Sequence, residues 1–238
     1  MGWWLWASIV APSWIFGLTQ TFATCEGGML AVALSHAATC VYEVAREVRR
    51  RRTTSSSSSR LEPLRDRVRS HLSQPEGFAL LGIHLLGTWY LGLLPVSYYG
   101  TQGRGVRFHL VACQLLVQDF LQYLMHRAQH QLKWQSHQAH HRHRSPSFWD
   151  SFDGSPSDTC VMILAPLLVT AHAVPWCNVY DYMCFGSVYA NWLCLIHSDA
   201  GPHAWDEAFE AIGLGTPRYH HIHHRYPHRH FGHLLQWW

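Results

Sequence analysis

Residues Gln118 to His141 read QDFLQYLMHRAQHQLKWQSHQAHH, and this stretch decides the fold. An apolar run arrives at His126, and five histidines follow within sixteen residues, as His126-x3-His130 and His137-x2-His140-His141. The pattern returns near the C-terminus as His220-x2-His223-His224, in YHHIHH. Residues three and four apart share a helical face. Each segment, as a helix, therefore presents two or three imidazoles to a common point. A site for more than one metal ion can be built from side chains in this way.

Working outward, the apolar residues are bunched and the His and Arg residues sit between the bunches, so a mean hydropathy of −0.09 understates the membrane character. Apolar runs cover Gly2 to Leu18, Gly28 to Ala45, Phe78 to Tyr99 and Phe108 to Met125. Cys160 to Ile196 holds about two more, with a break near Pro175 to Asp181. At roughly 1.5 Å per residue, about 18 helical residues just cross a 30 Å hydrocarbon layer. The expected fold is all-α: a polytopic integral membrane helical bundle with a cytosolic histidine-rich helical cap holding a dimetal site. Three regions follow, an N-terminal transmembrane region (1–45), a basic and Ser-rich cytosolic loop (46–77) and a catalytic domain (78–238).

The loop assignment rests on REVRRRRTTSSSSSR, Arg46 to Arg60, which is too basic and too Ser-rich to form a core. It should be cytoplasmic by the positive-inside rule. One span out and one back return the chain to that side at His126, and the hairpin 160–196 leaves and returns again. All three histidine clusters then face one compartment, as a shared site requires. The net charge of +3 is too small to argue for nucleic acid. The seven cysteines form no CxxC pair and fall mostly in apolar runs, which points to buried free thiols.

Nine histidines stand at ligand-like spacing: His126, His130, His137, His140, His141, His197, His220, His223 and His224. One ion takes about four to six ligands, so nine imply two. Neutral imidazole suits iron, zinc, copper and nickel alike. No cysteine neighbours these clusters, as a structural zinc site would usually have.

The motifs HRAQH, HQAHH and TPRYHHIHH, followed by a glycine in HRHFG, resemble those of the fatty acid hydroxylase and sterol desaturase superfamily. The resemblance covers about 118–238. It implies a membrane-bound, non-haem centre of two Fe ions in the endoplasmic reticulum, with the histidine clusters facing the cytosol. It also implies O2 as co-substrate, with electrons reaching the site from NAD(P)H through cytochrome b5 and its reductase. The implied activity is hydroxylation or desaturation of a lipid: a sterol, a sphingoid base, or a fatty acyl or alkyl chain. His126 and His130 match the first box, His137, His140 and His141 the second, and His220, His223 and His224 the third. His197, in IHSD, matches a single histidine ahead of the third box, and Asp119 an acid upstream of the first. Asp119 lies two turns before His126 on the same face, which suits it either to orient a ligand or to serve as a capped or water-facing acid.

Three features depart from that family. Its His-Pro-x-Glu element reads Ser155-Pro156-Ser157-Asp158 here, so a possible ligand is missing. Its Asn-Tyr-Gly becomes His230-Phe231-Gly232, and the chain ends at LLQWW, short of the family's WD…FGT-like ending. His221 and His203 are candidates for a tenth ligand. His36, His84, His109 and His172 lie in or beside apolar runs and are expected to be hydrogen-bonded structural residues. His143 and His228 should face solvent or headgroups beside Arg142, Arg144 and Arg229. Trp3, Trp4, Trp6, Trp237 and Trp238 read as interfacial anchors. Two rival functions fit the same sequence, a catalytically inactive family member and a metal-binding or transport membrane protein.

Overall fold

A computed structural model of the chain describes residues 2–53, 63–199 and 201–238, and within them it is helical, with no strand beyond an isolated bridge between Leu214 and Leu235. The first layer is α1 (Trp3–Thr19), α2 (Cys25–Thr53) and α3 (Leu64–Ser73). A kink at Gly77, whose backbone leaves the helical region, lies within Pro75–Ala79 and leads into α4 (Leu80–Tyr90). Next come α5 (Phe108–Gln131) and the short α6 (Gln135–His140). A run over Pro156–Ala173 comprises α7 (Pro156–Thr159), a π-helical turn and α8 (Ala165–Ala173). α9 (Val179–Ile196), α10 (Asp206–Ala211) and α11 (Pro217–Arg225) complete the order.

α9 is the central post. Fifteen of its eighteen residues are buried, and α1, α2, α5 and α11 all pack on it. Its start is fixed by a reciprocal cap: Asn178 Oδ1 accepts the Asp181 N–H (2.8 Å), and Asp181 Oδ2 accepts the Asn178 N–H (3.0 Å). The same carboxylate takes the Arg107 backbone N–H (2.6 Å) and its guanidinium (2.6 Å) at the head of α5. One aspartate thus sets the register between the two helices whose far ends carry His126, His130 and His197.

α5 is built inside out. Its buried face is Val111 followed by the polar Gln114, Gln118, Asp119, Gln122, His126 and Gln129, while Phe108, Leu116, Phe120 and Leu124 are exposed. In water that distribution is unfavourable. Against lipid it is what the hydrophobic effect and the need to satisfy buried polar groups both select. The inward amides are engaged: Gln114 Nε2 donates to Tyr98 (3.1 Å), Thr170 Oγ1 donates to Gln118 (3.0 Å) and Gln129 Nε2 donates to Asp158 (2.8 Å). Among the described residues two helices, Cys25–Thr53 and Pro156–Ala173, are by length and composition long and apolar enough to cross a membrane.

Several expectations change. The Arg-rich stretch is helical through Thr53, because Glu43, Glu47 and the arginines pair one turn apart: Arg46 with Glu43 (3.0 Å) and Arg51 with Glu47 (2.6 Å). Residues 54–62, where the rest of the low-complexity loop falls, lie outside the described residues. Phe78 to Tyr99 is not one span, since α4 ends at Tyr90 and a 3-10 turn occupies Val96–Tyr99. Trp6 is not an anchor but packs on Trp192 and Trp205, with ring centroids 5.5 Å apart in both pairs. Trp238 donates its Nε1–H to Asp119 (2.7 Å). Trp3, Trp4 and Trp237 are exposed. His143 pairs with Asp153 (2.7 Å) rather than facing outward alone.

Candidate metal centre

The nine histidines singled out by spacing come together as two adjacent groups. His126, His130, His137, His141 and His223 form one, and His140, His197, His220 and His224 the other; within each group the ligand atoms lie within 4.8 Å of one another. α5 contributes His126 and His130 one turn apart. α6 and the residue after it contribute His137, His140 and His141. The C-terminal end of α9 contributes His197, and α11 the last three. α11 begins at Thr216, whose hydroxyl accepts the Tyr219 N–H, with Pro217 pre-set at the first helical position.

The Nε2 atoms face one another in chains. In the first group His126 to His130 is 3.2 Å, His130 to His137 3.1 Å, His137 to His141 3.0 Å and His141 to His223 3.2 Å. In the second, His140 to His197 is 3.2 Å, His197 to His220 3.0 Å and His220 to His224 3.1 Å. The opposite ring nitrogens explain why these atoms carry lone pairs. His126 Nδ1 donates to the Phe231 carbonyl (2.8 Å), His140 to that of Asp153 (3.2 Å) and His197 to that of Leu193 (2.6 Å). His223 donates to the Arg229 carbonyl (2.6 Å) and His224 to that of His143 (2.9 Å). A carbonyl only accepts, so each Nδ1 holds the proton and each Nε2 presents a free pair inward.

Burial first, and then the neighbouring imidazoles, hold these rings neutral. His140 is pushed down to about 4, and His223 and His224 lie well below the ordinary histidine value. His140 and His197, both protonated on Nδ1, bring their Nε2 lone pairs to 3.2 Å, where they repel one another unless a cation sits between them. Five and four nitrogen donors suit two ions of the kind imidazole binds, iron among them.

Asp158 does what Asp119 was expected to do. Its carboxylate faces His137 Nδ1 at 3.1 and 3.2 Å and is steadied by Gln129, so it orients that ring from outside. It stands in the Ser155-Pro156-Ser157-Asp158 segment that seemed to have lost a functional acid. Asp119 instead accepts the N–H groups of Leu234 (2.7 Å), Leu235 (3.0 Å) and His233 (3.3 Å), as well as Trp238. It holds the C-terminal tail against α5 and touches no ring of either group through its hydrogen bonds.

Neither candidate tenth ligand joins the groups. His221 Nε2 bonds the His197 carbonyl (3.1 Å), and His203 is held by Tyr42 (3.1 Å) and Arg46 (3.2 Å) while stacking on Trp205. The histidine that does adjoin both groups is His233, whose ring centroid is 4.8 Å from that of His126 and 5.2 Å from that of His220. It is buried, and its Nδ1 has no partner. Sequence spacing passes over it because the tail, not a shared helix, brings it there.

A polar pocket lined by His137, His140, His197, His233, Asp158 and Gln122 opens beside the two groups. It shares Phe152, Thr159, Ile163 and Leu193 with an apolar cavity that is partly open to the surroundings. Val32, Leu81, Leu85, Trp89, Leu167 and Phe185 are among its walls, and Glu76 is its one charged lining residue among the described residues.

Comparison with known proteins agrees with the histidine pattern. Residues 111–238 match the family model described as fatty acid hydroxylase. A protein from Phaeodactylum tricornutum (strain CCAP 1055/1), named alternative squalene epoxidase, is 46% identical over 177 residues, which is 73% of this chain and 50% of that protein. The chain therefore spans about half the length of this curated relative. No solved structure matches the chain.

Proposed function

Because the chain belongs to the fatty acid hydroxylase family, we propose that it is a membrane-bound lipid-oxidising enzyme whose nine histidines hold two non-haem iron ions. His126, His130, His137, His141 and His223 hold one, and His140, His197, His220 and His224 the other. The observation that carries this reading is the junction at Phe152, Thr159, Ile163 and Leu193, where a long apolar cavity meets the histidine-lined pocket. The iron pair, when bound, supplies O2 activation, which no side chain here can perform.

The protein's own contributions are positioning and exclusion of water. The cavity walls take up a hydrocarbon chain and present one carbon at the neck. Asp158 and the backbone carbonyls hold the imidazoles in one tautomer. Among the described residues the cavity lining includes no lysine or arginine, so it suits a neutral, largely hydrocarbon lipid better than one carrying an anionic headgroup. The relative's name makes squalene the first substrate to try. Epoxidation of an alkene then joins hydroxylation and desaturation as the reaction to look for. Electrons from NAD(P)H would arrive through cytochrome b5 and its reductase, on the cytosolic side of the endoplasmic reticulum membrane.

Membranes containing the full chain, supplied with NADPH, reductase, cytochrome b5 and squalene, should yield an O2-dependent epoxide. Filling the cavity with Ala190→Phe should lower kcat/KM by about tenfold or more, as ~1.4 kcal/mol of lost transition-state stabilisation would, with iron content unchanged. A sterol or acyl product in place of the epoxide would reject the substrate. Iron-loaded protein with no oxidised product from any lipid offered would favour an inactive family member.

A further inference from the structure

We propose that His36, Cys40 and His71 form a third metal site, separate from the nine-histidine centre, for one thiophilic d10 ion, Cu(I) or Zn(II). Their ligand atoms lie within 4.8 Å of one another. His36 and Cys40 are one turn apart on α2, so both point to the same side of that helix. His71 comes from α3 and is fully buried. His36 Nε2 is 3.2 Å from His71 Nε2 and 3.3 Å from Cys40 Sγ.

The hydrogen bonds around the cluster determine where its protons are. Asn191 Nδ2 donates to the Ser187 carbonyl (2.7 Å), which turns Asn191 Oδ1 toward His36 Nδ1 (3.0 Å). An amide oxygen only accepts, so His36 carries its proton on Nδ1. His71 Nδ1 faces the Trp149 carbonyl (3.1 Å) and is protonated for the same reason. Both Nε2 atoms then present lone pairs to each other at 3.2 Å. The Cys40 thiol can donate to His36 but leaves His71 Nε2 with no donor.

Something positive must sit between them, either a third proton or a metal ion. Phe78, with its centroid 4.5 Å from that of His36, and Phe148, 5.5 Å from His71, surround the cluster, and an isolated imidazolium is poorly solvated among such rings. A bound ion removes the problem: Cys40 releases its proton to solvent and becomes the anionic ligand. Cu(I) with one thiolate and two neutral imidazoles has no net charge, which suits a dry three-donor site, and thiolate with imidazole also suits zinc. The pattern of outer nitrogens tied to acceptors and inner nitrogens facing one another is the one found in the nine-histidine centre. The site would staple α3 to α2 and, through Asn191, to α9.

Because the main centre contains no sulfur, metal–sulfur scattering reports this cluster alone. The full chain, purified in detergent, should contain one copper or zinc per chain besides any iron. Its absorption edge should show a sulfur neighbour at about 2.3 Å in the zinc form. Cys40→Ser and His71→Gln should each lose that equivalent and keep the iron, while Cys160→Ser, at an exposed position, should keep both. Wild-type protein that contains neither copper nor zinc and binds none from buffered Cu(I) or Zn(II) would overturn the proposal. So would a metal–sulfur signal unchanged in Cys40→Ser. If that variant does not fold, titration of the wild-type chain decides by itself.

Discussion

Replacing His140 or His223 with alanine should abolish the oxidised lipid product while the chain still inserts into membranes. His140 belongs to the four-donor group, and its loss leaves three nitrogens for one ion. His223 belongs to the five-donor group, where four would remain. Iron should therefore fall by about one ion per chain in His140→Ala and less in His223→Ala, with turnover lost in both. Changes outside the ligand set typically cost about 10–100-fold in metal affinity or activity, and removing a ligand should exceed that. Neither ring forms part of the lipid-facing surface, so insertion should be unaffected. Lipid profiling by mass spectrometry, with iron analysis of the purified variants, measures both outcomes. Wild-type turnover in both variants would rule out catalysis by this centre.

The second large effect is expected at Asp119, which lies outside both ligand groups. Asp119→Ala removes the acceptor for three backbone N–H groups and the Trp238 indole at once. Hydrogen bonds to a charged group contribute about 1.5–3 kcal/mol each, and buried donors left without partners cost further, so the C-terminal tail should detach. The tail supplies the Phe231 carbonyl that fixes the His126 ring, and it carries His233 between the two groups. Loss of product should therefore accompany rapid carboxypeptidase digestion of the last residues. Asp119→Asn keeps one acceptor oxygen and should fall between wild type and alanine. A tail as protected in Asp119→Ala as in wild type would remove this role.

The two histidine groups are legible in the sequence because helical periodicity alone decides which residues share a face. HRAQH, HQAHH and YHHIHH needed only to be helical for their imidazoles to converge, and the three segments are helical or end a helix. What periodicity cannot express was misread. His233 and Trp238 reach α5 by a tail contact more than a hundred residues away in sequence, through Asp119. Ser155-Pro156-Ser157-Asp158 lacks the histidine of a His-Pro-x-Glu element, yet its Asp158 faces His137, a contact that spacing along one helix does not express. His71 stood in a segment taken for a loop, and its proximity to His36 depends on how α3 folds back. The helix through Thr53 did have a local sign, the Glu and Arg residues spaced three and four apart, but the neighbouring serine run obscured it.

Iron-edge X-ray absorption on the purified chain, with iron quantified per polypeptide, tests the central claim most directly. The account predicts two irons per chain, each with nitrogen neighbours and no sulfur, since every proposed ligand is an imidazole. Protein active on lipid yet free of iron, or iron with sulfur in its first shell, would contradict it.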